Sequence, residues 1–416
     1  MIDRVRGSRN GGKFGSGRRV AAAAVLAAAA AAGSPLRAQD AAAADTETGK
    51  TGGVAAEAEA AAPQKEVFDA VRFGVPIQIQ LYASRPAAAK NAAEEAFAEA
   101  RRLDRIFSDY HPDSEARRLV AAPGGRVAVS PELYELLLFA EAAREETDGA
   151  LDVRVGPLTH LWRKARRFRT RPADGDLDEA RRAAGEDAFR LRTSGLISSP
   201  VGTVDVLRPG VRLDFGAVAK GYAVDRMCRI IERDGVEAWL VDAGGDIRVG
   251  GRRPDKRRWT IEVESTGGED PVIVDLSRTA IATSGDSQQH VVIEGRRYSH
   301  IIDPRSGTPL TSQPQVTVVA ETAAAADALA SALSVMGSGR GLKWLDNYRR
   351  SGRDTFGRLI AVRFEEDGRG IAGPMWSRLF RDRGEPSDDG AAETDARLAT
   401  PAAANDASAD DPEQAE

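Results

Sequence analysis

Cysteine is almost missing from this chain: 416 residues contain one, Cys228. A single thiol excludes an internal disulfide framework and a zinc site built from several cysteines. Its place in the helical pattern "RMCRII" marks it as a buried thiol. Histidine is nearly as scarce, at four residues, so two of them close together (His290 and His300) stand out. Positive charge is not in excess: 58 Lys and Arg against 63 Asp and Glu give a net charge of −5, which offers no footprint for nucleic acid. Long apolar runs are lacking too. The longest, Val20–Ala32, is Ala-rich and falls short of the ~20 residues that span a bilayer.

What the ends do contain is non-globular. Arg4, Arg6, Arg9, Lys13, Arg18 and Arg19 precede the Ala-rich run, and "GSPLRAQD" follows it, with cleavage placed after Ala38. This is the pattern of an export signal over 1–38, giving a soluble periplasmic or cell-envelope protein. The Arg18-Arg19 pair suggests the twin-arginine route, and no cysteine follows the run to take a lipid anchor. Residues 39–66 read as a disordered linker and 382–416 as an acidic disordered tail, each with little to bury. The globular unit is 67–381, one large domain with a subdomain.

Inside it, "VRFGVPIQIQLYA" alternates as a half-buried strand, and 87–107 carries helical spacing. "SPELYELLLFAEAAREETDG" has Ser130 as N-cap, Pro131 at the first helical position and Gly149 beyond the end. Strands are expected over 240–249, 259–264, 272–276 and 316–320, and a helix over 323–336 ending at Gly337. The irregular alternation favours an α+β fold with a largely antiparallel sheet core and packed helices. A dinucleotide fold is disfavoured: neither "DFGAVAKG" nor "DAGGDIRVGG" has the Gly spacing and following helix that a Rossmann site needs. "SGRGLK", after Gly337, lacks the spacing of a P-loop and reads as a loop.

Three constellations carry chemistry. In "LDFGAVAKGYAVD", Asp214 and Lys220 flank a helix start rich in small residues, where backbone N–H groups favour phosphate. Lys220 fits a phosphate partner and Asp214 fits ligand N–H groups, but an ordinary cap and a solvated lysine explain the same residues. In "AETAAAADALASAL", Asp327 and Ser331 stand at i and i+4, two hard oxygen donors on one helical face suited to Mg²⁺. A plain polar face is the alternative. In "YSHIIDPRSGTPL", His300 precedes an apolar pair, as a base or as a residue serving a core carbonyl.

Taken in order, "FGVPIQIQLYA", "FSDYHPDSEARRL", "TDGALDVRVGPLTHLW", "LDFGAVAKGYAVD", "DAGGDIRVGG", "TSGD", "HIIDPRSG" and "ADALASAL" resemble the ApbE-like FAD:protein FMN transferases. The resemblance implies transfer of the FMN part of FAD to a Thr or Ser hydroxyl of an acceptor protein, with release of AMP. It also implies an acceptor motif of the type Asp-x-x-x-Ser/Thr-Gly-Ala-Ser/Thr, and leaves the oligomeric state unspecified. By this resemblance Asp327, Ser331 and the Ala217 carbonyl would hold Mg²⁺, Lys220 would add a cation, and His300 would act as the base. Phe73, Tyr110, Ala150, Leu151, Asp152 and Asp214 would hold FAD. Phe73 and Val75 replace the usual Met and Thr, Leu151 replaces Phe, and Ser331 replaces Thr but keeps the hydroxyl. Ser287 stands where many members carry an aromatic residue. An exported flavin store, or an FAD pyrophosphatase in which water attacks, are the competing readings.

Overall fold

Eight strands form one sheet in which every neighbouring pair is antiparallel: β1 (Gln64–Arg72), β2 (Val75–Ala83), β6 (Ala238–Ala243), β7 (Asp246–Gly250), β10 (Thr279–Ser284), β15 (Gln315–Ala320), β16 (Ile360–Glu366) and β17 (Arg369–Ala372). A second sheet has the order β18 (Phe380–Arg381), β9 (Val272–Leu276), β8 (Trp259–Val263) and β19 (Ala396–Leu398). A third holds β3 (Arg126–Ala128), β5 (Val201–Val206) and β4 (Phe189–Ser194). Two small hairpins, β11 (His290–Ile293) with β12 (Arg296–Ser299) and β13 (Ile302–Asp303) with β14 (Thr308–Pro309), stand beside them. This computed structural model describes residues 62–121, 123–194, 201–265, 270–285, 289–312, 315–366, 368–381 and 395–398.

The helices are α1 (Pro86–Phe107), α2 (Glu115–Val120), α3 (Pro131–Glu146), α4 (Gly156–Phe168), α5 (Asp174–Ala183), α6 (Ala219–Arg233) and α7 (Ala323–Ser351). Strand alternation sets the layering. In β6, Trp239 and Val241 join the large core against the helices, whereas Leu240 joins a second core against β8 and β9. The eight-stranded sheet is thus the middle layer, with α1, α6 and α7 on one face and the smaller sheet on the other. A third cluster, with Leu158 and Trp162 of α4, Leu177 of α5, and Tyr298 and Ile302, builds a satellite beside the helix layer. Cys228 is fully buried, and burial holds its thiol well above the ordinary range, as the helical pattern implied.

Five local expectations change. The stretch expected as one strand over 240–249 is two, β6 and β7, joined by a turn at Gly244 and Gly245. "VRFGVPIQIQLYA" is not one strand but a hairpin, because Phe73 (φ 52°) and Gly74 (φ 70°) both take the left-handed conformation of a two-residue turn. Residues 64–66, assigned to the linker, already pair within β1. "SGRGLK" is helical: α7 breaks only at Gly337 (φ 70°, ψ 166°), and its second part starts with the Ser338 N–H and hydroxyl held by Glu366 at 2.7 and 2.6 Å. Within the acidic tail, 395–398 folds. There Asp395 accepts from the Thr260 N–H at 2.9 Å, pairs with Arg253 at 2.8 Å and carries β19 alongside β8.

Candidate functional site

The stretch 213–225 crosses from loop to helix in a way its composition only half suggests. Asp214 does not cap the helix: its Oδ1 accepts from Gly216 N–H at 2.8 Å, closing a turn, and α6 begins only at Ala219 behind Val218. The helix-start N–H of Gly221 instead donates to Asp327 Oδ2 of α7 at 3.2 Å. In return Asp225 of α6 accepts from Ala323 N–H at 2.9 Å and Ala324 N–H at 3.0 Å, the first residues of α7. Each helix N-terminus is therefore capped by a carboxylate from the other, satisfying orphan donors and matching negative charge to both positive helix ends. Only glycine permits this approach, since a Cβ at Gly221 would lie 2.3 Å from Ala323 O.

Lys220 is not a solvated lysine but is held by two carboxylates. Its Nζ lies 2.8 Å from Asp246 Oδ2 and 3.2 Å from Asp327 Oδ1, with a side chain one-fifth exposed. Burial works against the ammonium, but the two carboxylates outweigh it and hold its pKa above the usual lysine range. Burial and the neighbouring Asp327 charge push Asp246 well above the usual carboxylate range, Lys220 offsetting them in part. Two carboxylates share one buried cation here, and the raised pKa of Asp246 lets it hold a proton, which leaves the group close to neutral. Asp246 sits there because Gly244 (φ 60°) and Gly245 (φ 93°) turn β6 tightly into β7.

Above this cluster lies a cavity of about 240 Å³. It brings together Tyr110, Ala150, Leu151, Asp152, Asp214, Ala217, His300 and Ser331, eight of the expected site residues. Lys220, Asp327 and Phe73 are not on its wall. Lys220 and Asp327 form the buried cluster described above. Phe73 occupies the β1–β2 turn, where its backbone N–H donates to the Asp104 carboxylate. Phe73 is thus not among the residues that line this cavity. Ser287 lies outside the described residues. Asp152 faces the cavity but also accepts from Arg154 N–H at 2.9 Å and pairs with the Arg154 guanidinium at 3.1 Å. Burial raises its pKa in spite of that partner.

His300 receives direction from its own strand end. Its backbone N–H donates to Gln289 O at 3.0 Å, and its Nδ1 lies 3.3 Å from the same oxygen. A carbonyl only accepts, so this contact favours the tautomer protonated on Nδ1 and leaves Nε2 as the basic nitrogen.

Sequence reasoning missed three contributors. Asp246 was visible only as the last letter of a turn motif, and Asp225 only as a polar residue in a helix. Their roles come from partners on other elements: Lys220, 26 residues from Asp246, and Ala323, 98 residues from Asp225. Arg163 of α4 is the third: it pairs with Asp109, lies 3.7 Å from Asp214 Oδ2, and stacks 4.5 Å over the Tyr110 ring. Burial works against its charge, yet Asp214 and Asp109 hold its pKa above the ordinary range. The run "WRKARRF" showed helical spacing but not which cation turns inward.

As for oxygen donors, no cluster of three or more His, Cys, Asp or Glu suited to a metal occurs among the described residues. Ala217 and Ser331 both line the cavity, and Asp327 lies one turn before Ser331 with one partner on each carboxylate oxygen. Each of those oxygens keeps a lone pair. A carboxylate, a hydroxyl and a carbonyl form a hard-donor set that fits a small divalent cation completed by substrate oxygens.

Comparison with known proteins gives one consistent result. The ApbE family profile matches residues 73–353. A Chlamydia muridarum protein named FAD:protein FMN transferase is 30% identical over 282 residues, covering 66% of this chain and 86% of that one. A Vibrio cholerae protein of the same name is 34% identical over 243 residues, 57% of this chain and 70% of the relative. Among solved structures, the flavinyl transferase ApbE of Pseudomonas stutzeri superposes with a TM-score of 0.65 at 28% identity, covering 77% of this chain and 98% of that one.

Proposed function

The chain belongs to the ApbE family and is a flavin transferase that moves FMN from FAD to protein; from that premise we propose how its own residues perform the transfer. The observation that carries the reading is that His300, Ala217 and Ser331 border one cavity, with Asp327 one turn before Ser331 in the same helix. The acceptor is a Thr or Ser hydroxyl. His300 Nε2 takes its proton, the oxygen bonds to the FMN phosphorus, the bond to the bridging oxygen breaks, and AMP leaves.

Ala217, Ser331 and Asp327 would hold Mg²⁺, which when bound supplies positive charge to the pyrophosphate as the bond breaks. Lys220 acts as a positioning residue: it fixes Asp327 and Asp246 against each other rather than meeting the phosphate itself. Tyr110, Leu151 and Ala150 supply apolar wall for the flavin, and Asp214 and Asp152 supply acceptors for its N–H groups. The cavity is smaller than the roughly 300–1,000 Å³ of a site that encloses a whole ligand, so part of the dinucleotide lies along its rim. We propose further that the protein is exported by its 1–38 segment. No described helix is long and apolar enough to cross a membrane.

The test is an assay with FAD, Mg²⁺ and an acceptor fragment carrying Asp-x-x-x-Ser-Gly-Ala-Thr, read by covalent flavin fluorescence. His300→Ala should lower transfer by about a hundredfold or more while FAD still binds. Transfer at the wild-type rate in that variant would remove His300 from the chemistry.

A further inference from the structure

The end of helix α4 and the three residues after it carry a run of charge that the transfer reaction, as proposed, leaves unused. Between 163 and 171 there are six Lys or Arg and no acidic residue, in a chain whose net charge is −5. Arg163 is neutralised by Asp109 and Asp214 and braces Tyr110. Arg166, nearly one turn further on, is different. It is half-buried, lines the cavity with His300, and among the described residues it makes no hydrogen bond or ion pair. It also borders a small recess lined by His300, Tyr298 and Trp162, so it belongs to the His300 side of the site. Lys164 and Arg169 lie exposed beyond it, also without an ion pair among the described residues. Arg169 ends the helix at φ 51°, a position that favours glycine, yet the chain keeps a cation there.

A half-buried guanidinium without a counter-ion is costly unless an anion arrives, and its planar fork suits a carboxylate. The oxygen donors proposed for Mg²⁺, Ala217, Ser331 and Asp327, are distinct from this group. The polypeptide that presents the attacking hydroxyl has to approach His300. We propose that Arg166, continued outward by Lys164 and Arg169, is the docking site for an acidic segment of the acceptor protein, Arg166 taking the carboxylate nearest the modified hydroxyl. This rests on the assignment of His300 to the acceptor hydroxyl made above.

Two synthetic acceptor peptides decide it, one with Asp-x-x-x-Ser-Gly-Ala-Thr and one with Asn for that Asp. Arg166→Ala should raise KM for the Asp peptide about tenfold, leave KM for the Asn peptide within about twofold, and leave kcat unchanged. Arg166→Lys should recover part of the loss, and Lys164→Glu should raise KM for the Asp peptide only, with a steeper effect at low salt. Equal losses on both peptides, no loss on either, or a weakened FAD affinity measured by flavin fluorescence would overturn the proposal, the last by placing Arg166 on the FAD phosphate. Fluorescence anisotropy of the labelled peptides on FAD-loaded protein separates this from the mechanism. If wild type transfers nothing, the mechanism fails, and Asp-dependent binding lost in Arg166→Ala still supports the docking site. Absence of such binding overturns it.

Discussion

Gly221→Ala turns the cross-capped helix pair into a sharp test. In an exposed helix this change stabilises by about 1 kcal/mol, because alanine has the better propensity. Here the new Cβ would lie 2.3 Å from Ala323 O, 2.6 Å from its carbonyl carbon and 2.8 Å from Ala324 Cα, all backbone atoms of α7. No side chain can rotate away, so α6 and α7 must part by on the order of 1 Å to restore ordinary contact. That shift stretches the three carboxylate hydrogen bonds at 2.9, 3.0 and 3.2 Å that cap the two helices. Bonds to a charged acceptor contribute about 1.5–3 kcal/mol each, and overpacking costs about 1–3 kcal/mol. Partial loss of the former with the latter gives a net destabilisation of about 4 kcal/mol after the propensity gain. In a domain of this size that is a fall in Tm of roughly 10 °C. Because Asp327 moves with α7, FAD affinity should fall as well. Urea titration followed by circular dichroism, with flavin fluorescence alongside, reads both. A variant as stable as wild type, or more so, would refute the close-approach argument, since propensity alone forecasts that result.

The remaining expectations concern the buried charges and the chain's N-terminal segment. Lys220→Met leaves Asp246 and Asp327 without their shared cation, so it should cost about 3–5 kcal/mol; a variant as stable as wild type in urea titrations would show the pair is not buried as described. Asp327→Asn keeps an acceptor for Gly221 N–H, so it should fold yet lose the cation-dependent part of transfer, measured with and without EDTA. Asp242 has its pKa pushed up from 3.8 to about 6 by burial, which the Gly245 N–H only partly offsets. Its protonated form is the one the fold favours, so its contribution is full below pH 4 and is lost as pH rises through 6, about 3 kcal/mol in all. Asp242→Asn should flatten the stability profile across that window, and an unchanged slope in urea titrations would contradict the assignment. Mass spectrometry of the mature protein should find a chain beginning near Gln39, and an intact Met1 end would reject export with cleavage.

Much of this protein was legible in one dimension because the signals were local. Ser130, Pro131 and Gly149 framed α3, and the Ser130 hydroxyl does accept from Leu133 N–H at 3.3 Å. The strands expected over 259–264, 272–276 and 316–320 match β8, β9 and β15, Gly337 marked the break in α7, and the ordered motifs identified the family. The i, i+4 spacing placed Asp327 and Ser331 on one face without knowledge of what that face met. The error at Phe73 arose because a two-residue turn interrupts an alternating run without breaking its pattern of apolar residues.

What only the tertiary structure decided was the partnership of charges. Nothing near Lys220 in sequence shows that Asp246 and Asp327 will both reach it, or that Asp225 and Asp327 will cap each other's helices. Nor does the run of cations in α4 show that Arg163 is neutralised while Arg166 is left open to the cavity. The physical reason is that a buried charge is tolerable only with a counter-charge or hydrogen bonds within about 3 Å. In a largely antiparallel α+β fold those partners come from other elements of the packed layers, at distances along the chain that no local pattern records.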